Sequence, residues 1–103
     1  MDIVLKNLAD VLDDKDGFFM KVRNLDGVDN EKLNDVLVAL KEIELFYFDR
    51  DLVPKYLFFL TSAMEPVLWG MVDSYDEPVR EQIFGSIDKI STALSRCFST
   101  DRY

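Results

Sequence analysis

Carboxylates are the only side chains in this sequence present in the numbers and placement that acid/base chemistry requires. Glu42 with Glu44, and Asp73 with Asp76 and Glu77, could each supply an acid and a base. Such work needs the groups desolvated in a cleft that drives their pKa values apart. Both sets fall in polar, turn-like or surface-like stretches, where solvated charge is expected. The chain has no histidine, which excludes Ser/His/Asp triads, Cys/His dyads and zinc sites with imidazole ligands. Its one cysteine, Cys97, lies on the apolar side of a helical pattern and reads as an inert core thiol rather than a nucleophile. A single cysteine also forms no intrachain disulfide, which fits a reducing, cytoplasmic location.

Two short runs look like the centre of a calcium-binding loop, Asp14-Lys15-Asp16-Gly17 and Asn24-Leu25-Asp26-Gly27. In register, the first puts Leu12 at the first ligand position and Arg23 at the bidentate glutamate position; the second puts Val22 and Leu33 there. Neither can coordinate calcium, and both read as helix-ending turns. The glycines at 17, 27, 70 and 85 make no phosphate-binding loop. The expectation is a protein that is not an enzyme, with no catalytic residue, no metal and no cofactor.

The constellation that carries most information is acidic. At about 100° per residue, Glu31, Asp35, Glu42 and Asp49 fall within about 40° of one another on one helix, with no Lys or Arg among them. Val38, Leu45 and Phe46 flank this stripe. Carboxylates edged with apolar side chains suit a basic partner, since charge steers the encounter and buried apolar groups slow dissociation. The competing expectation is a central helix packed on two sides, with Val38, Leu45 and Phe46 buried and the carboxylates merely solvated between them. A second candidate is Phe84, which sits about 140° around its helix from Val79, outside the core arc. It is expected to be partly exposed, either incidentally or as an aromatic anchor.

The elements that must position these residues are helices, because apolar residues recur at three and four rather than alternating. Leu5, Leu8, Val11 and Leu12 share one arc of a first helix, with Gly17 as its expected C-terminal cap. A short aromatic turn, Phe18 to Arg23, follows, expected as one or two helical turns packed beneath the bundle. The next helix begins at Asp29, an N-cap, and runs to about Phe48, with Leu33, Val36, Leu37, Leu40, Ile43 and Tyr47 inward. Another starts after Asp51 with Pro54 in its first turn. Ser62-Ala-Met-Glu65 matches a capping box ahead of Pro66, so residues 52–72 form either one kinked helix or two. The last helix begins near Asp76, with Pro78 in its first turn. It places Val79, Ile83, Ile87, Ile90, Leu94, Cys97 and Phe98 within an arc of about 100°.

Short polar turns between these segments imply an all-α fold, a compact antiparallel bundle of four to five helices. With 103 residues, 49% of them hydrophobic, residues 1–103 are expected to form a single domain around one core. The amino terminus, with Asp2 where a signal peptide carries positive charge, does not read as a targeting segment. Pro54, Lys55, Glu65 and Pro66 interrupt the apolar stretch 52–72, so no membrane span is expected.

The net charge of −8, most of it in residues 1–51, opposes direct binding to nucleic acid or to anionic lipid. It attracts basic proteins, and it also serves solubility. Composition and class together favour a small acidic helical protein that binds and neutralises a basic protein, such as an immunity protein inhibiting a bacterial nuclease toxin. The alternative is a homodimeric adaptor or secretion-chaperone-like bundle pairing through the aromatic segment 45–60, LFYFDRDLVPKYLFFL.

Overall fold

A computed structural model describes residues 3–98. The fold is all-α. Among the described residues the α-helices are α1 (Ile3–Asp13), α2 (Phe18–Arg23), α3 (Asn30–Phe46), α4 (Lys55–Thr61), α5 (Met64–Met71) and α6 (Val79–Cys97), with a 3-10 turn at Val72–Ser74. Asp2 lies outside the described residues. One continuous apolar cluster draws on every helix, from Leu5 and Leu8 of α1 to Ile83, Ile87 and Ile90 of α6. The most extensive helix–helix packing is of α1 against α3 and of α3 against α6, so α3 is covered on two sides.

The cap expected at Asp29 forms. Its Oδ1 accepts from the Lys32 backbone N–H at 3.2 Å, which satisfies one of the orphan donors of the first turn of α3. Its Oδ2 accepts from Lys21 Nζ at 2.6 Å, tying α2 to the start of α3. Lys32 in turn donates to Asp14 Oδ2 at 3.1 Å, beyond the end of α1. Two lysines therefore hold the three amino-terminal helices at one corner.

The aromatic segment forms the one or two helical turns expected of it: α2 has 6 residues and buries Phe18 and Val22 in the core. Gly17 is not a left-handed cap of α1. It is extended, with φ −74° and ψ 171°, and precedes α2 as its N-cap. A glycine is needed there for close approach, because a Cβ would stand 2.9 Å from the Asp14 carbonyl oxygen. The left-handed position is instead Leu25, at φ 62°. The Asp26 N–H donates to Lys21 O at 2.8 Å and the Leu25 N–H to Val22 O at 3.2 Å, a Schellman closure that usually takes glycine. A leucine there costs about 1–2 kcal/mol of backbone strain. Tyr75 secures the same turn from across the molecule: its hydroxyl donates to Val22 O at 2.7 Å and accepts from the Gly27 N–H at 3.1 Å.

Residues 52–72 form two helices, α4 and α5, broken at Ser62–Ala63. The capping box does not form. Ser62 Oγ donates back to Phe59 O at 3.1 Å, and Ala63 occupies the N-cap position. Pro66 accounts for the break, since it has no N–H to bond Ser62 and its ring would clash with that carbonyl in a continuous helix. Pro54 and Pro78 are N-caps of α4 and α6 rather than members of their first turns. The core arc of α6 holds except at its end: Phe98 is the C-cap, its backbone leaves the helix at φ −109°, and its ring is exposed.

The Lys21–Asp29 pair predicts a specific pH profile. The hydrogen bond from Lys21 holds the Asp29 carboxyl below its ordinary value, and the same bond raises the Lys21 ammonium. A lowered carboxyl pKa contributes stability above the unfolded value that is lost as pH falls through the folded one. A raised lysine pKa contributes stability that is lost as pH rises through its folded value. Asp29→Asn keeps the capping oxygen and removes the charge. Its melting temperature should fall below wild type at pH 7, and the difference should shrink as pH drops below about 4. Thermal unfolding across pH 2–8 checks this.

Candidate functional site

Glu31 and Asp35 occupy the first two turns of α3, exposed, and Glu42 lies half-buried two turns further on. Between them Val38 is 48% exposed. The helix positions these groups outward because Leu33, Val36, Leu40 and Ile43 take its opposite side into the core. Packing of α1 against this side of α3 then builds a groove of about 360 Å3, in which Asn7 and Asp10 of α1 face Asp35, Val38 and Glu42 of α3. Its lining contains no lysine or arginine among the described residues. Asn7 Nδ2 donates to Glu42 Oε2 at 3.4 Å across it, and Lys6 pairs with Asp10 at 3.2 Å on the outer edge.

Asp49 does not belong to the stripe. The helix ends at Phe46 and Tyr47 caps it with φ −100° and ψ 15°, so the regular advance of 100° per residue stops before Asp49, which lies exposed in the following turn. Leu45 is 62% exposed. Phe46 is half-buried: its ring meets Tyr47 edge-on at 4.8 Å and lies beneath the Arg50 guanidinium at 4.6 Å. Of the apolar flank, Val38 and Leu45 are therefore the side chains most open to a partner.

Asp10 and Asn7 complete the groove, and α3 alone gives no sign of them. The sequence offers Asp10, with Asp13, Asp14 and Asp16, as an extension of the acidic field at the end of α1, whereas Asn7 is marked only by its place on the polar side of that helix, opposite Leu5 and Leu8. Asp14 turns elsewhere: its Oδ1 accepts from the Asp16 N–H at 3.0 Å and its Oδ2 from Lys32, and both bonds hold its pKa below the ordinary value.

The paired carboxylates are not brought together for catalysis. Glu42 faces α1, whereas Glu44 lines a different groove between α3 and α6 and pairs with Lys41 at 3.4 Å. Asp73, Asp76 and Glu77 stand exposed around the turn before α6, where Glu77 Oε2 accepts from the Glu81 N–H at 3.3 Å. Among the described residues, no group of three or more His, Cys, Asp or Glu side chains is arranged to hold a metal ion, and no helix is long and apolar enough to cross a membrane. Phe84 is 41% exposed, as its angle implies, and its ring leans on Trp69 at 5.8 Å between centroids.

Cys97 is 3% exposed and its thiol donates to Leu40 O at 3.3 Å, bonding α6 to α3. Burial, reinforced by the nearby Glu44 charge, pushes its pKa up to about 11. The native thiol should therefore react with Ellman's reagent at pH 8 far more slowly than the denatured chain does, by about 100-fold or more. A time course with and without guanidinium measures the ratio. Comparison with protein-family models, with curated proteins and with solved structures returns no match, so function must be argued from these surfaces alone.

Proposed function

We infer that this chain binds and neutralises a basic protein, in the manner of an immunity protein inhibiting a bacterial nuclease toxin. The observation that carries the inference is the α1/α3 groove, where Asp35 and Glu42 of α3 and Asp10 of α1, itself paired with Lys6, surround the exposed Val38 with no lysine or arginine in the lining among the described residues. A nuclease must present a cationic surface to hold a phosphodiester backbone. Carboxylates set on a rigid two-helix scaffold offer that surface an alternative anion, while Val38 and Leu45 supply apolar contact that a phosphate lacks. Glu31, at the open end of α3, extends the field. The net charge of −8 adds long-range attraction.

Steering of this kind acts over a Debye length of about 8–10 Å at physiological salt. The association rate with a basic nuclease domain, measured by stopped flow, should fall at least about tenfold between 50 and 500 mM salt. Asp35→Lys combined with Glu42→Lys should slow association comparably at low salt while leaving the melting temperature close to wild type. An unchanged rate in that variant would overturn the α1/α3 face as the binding surface.

A second function is supported by a different observation. Phe48, Leu52, Phe58 and Phe59 are all exposed along the segment joining α3 to α4 and on α4 itself, and Tyr56 stacks on Phe59 at 6.1 Å. α4 has 7 residues and buries only Leu57 and Thr61, too little to shelter the aromatic run. A homodimeric adaptor or secretion-chaperone-like bundle would cover these rings. It requires a mass that doubles with concentration in sedimentation velocity from about 1 to 200 μM. A constant monomer mass removes it.

A further inference from the structure

A trough between α4–α5 and α6 shares no lining residue with the α1/α3 groove. It consists of two hollows, of about 600 and 680 Å3, that meet at Glu65 and Ser91. Phe58 and Phe98 flank one end, and Trp69 and Phe84 flank the other. These four rings are exposed, Phe58 at 67% and Trp69 at 54%. The charged side chains in the lining are Glu65, Glu81 and Asp88, and no lysine or arginine lines either hollow among the described residues. On α6, Lys89 and Arg96 line the neighbouring groove toward α3, which Asp88 also borders.

Gly85 stands inside α6, has ordinary helical backbone, and has nothing within 4 Å of where a Cβ would be. Neither a turn nor a close internal approach requires glycine there, and glycine weakens a helix relative to alanine. Ser91, which lines both hollows, and Ser95 are the other small α6 residues in the trough. Small residues between aromatic shoulders leave room for another helix to lie close.

We propose that this trough seats a cationic amphipathic helix of a partner protein, its apolar face between the Trp69–Phe84 and Phe58–Phe98 shoulders and its lysines or arginines against Glu65, Glu81 and Asp88. Charge decides among occupants. A second copy that seated its own acidic α1/α3 or α5/α6 surface here would set carboxylates against Glu65, Glu81 and Asp88, and an anionic membrane surface meets the same repulsion. The α1/α3 groove has no part in this trough, so either surface can fail without the other.

Trp69 is the only tryptophan in the chain and reports directly on the trough. The test titrates the full-length protein with an 18-residue helical Leu/Lys peptide and with the same peptide carrying Glu in place of Lys. The Leu/Lys peptide should shift Trp69 emission to shorter wavelength, and the Leu/Glu peptide should leave it unchanged. Gly85→Ala should raise the melting temperature yet weaken the peptide at least about fivefold, and Phe84→Ala should weaken it about tenfold or more. Glu65→Gln with Asp88→Asn should weaken it, whereas Asp35→Asn with Glu42→Gln should bind as wild type. No emission shift, equal response to both peptides, wild-type affinity in Gly85→Ala, or equal losses in the two carboxylate pairs would each overturn the proposal.

Discussion

Coverage of α3 from two sides is the constraint on which the rest of this molecule depends. Leu40 and Ile43 are completely buried, and Leu33, Val36 and Ala39 nearly so, because α1 lies on one flank of the helix and α6 on the other. Each fully buried leucine or isoleucine is worth about 1.5–3 kcal/mol relative to an exposed one. Once that apolar sector is committed inward, the remainder of α3 has only one direction left to face. Glu31, Asp35 and Val38 project there as a consequence of packing, and α1, drawn in by Leu5 and Leu8, brings Asn7 and Asp10 alongside.

Electrostatics then divides the surface. Asp14 and Asp29 are used internally, where Lys32 and Lys21 hold α1, α2 and α3 at one corner. The groove between α3 and α6 mixes signs, with Lys41, Lys89 and Arg96 beside Glu44 and Asp88, and presents no single-sign field. By contrast, the α1/α3 groove and the α5/α6 trough each hold carboxylates without a cation in their linings among the described residues. Two grooves with apolar shoulders therefore present carboxylates to an approaching basic protein, which meets both attraction and contact area there.

Backbone strain and exposed rings are tolerated for different reasons. Leu25 holds a left-handed conformation because the Schellman bonds and the Tyr75 hydroxyl fix the turn around it. The aromatics of α4 are exposed because a helix of 7 residues has a single buried face, which Leu57 and Thr61 fill. Five large side chains in succession cannot share that face, whatever their hydrophobicity.

The sequence by itself determined what is local. Spacing at three and four gave the helices, the arc of Ile83, Ile87, Ile90 and Cys97, the outward angle of Phe84, and the Asp29 cap, because each depends on residues within a turn or two of one another. Tertiary structure decided where helices stop and what stands across from them. Asp49 left the acidic stripe and Phe98 left the core arc because each lies past a helix end, where angular extrapolation no longer holds. The Ser62 capping box gave way to a break imposed by Pro66, and Gly17 proved to be needed for an approach to the Asp14 carbonyl rather than for a positive φ. The meeting of Asp10 with Asp35 and Glu42, and the burial of Phe18 and Val22 at the centre, join residues far apart in the chain. Periodicity along one helix carries no information about which neighbour will cover it, and that choice belongs to the packing of the whole core.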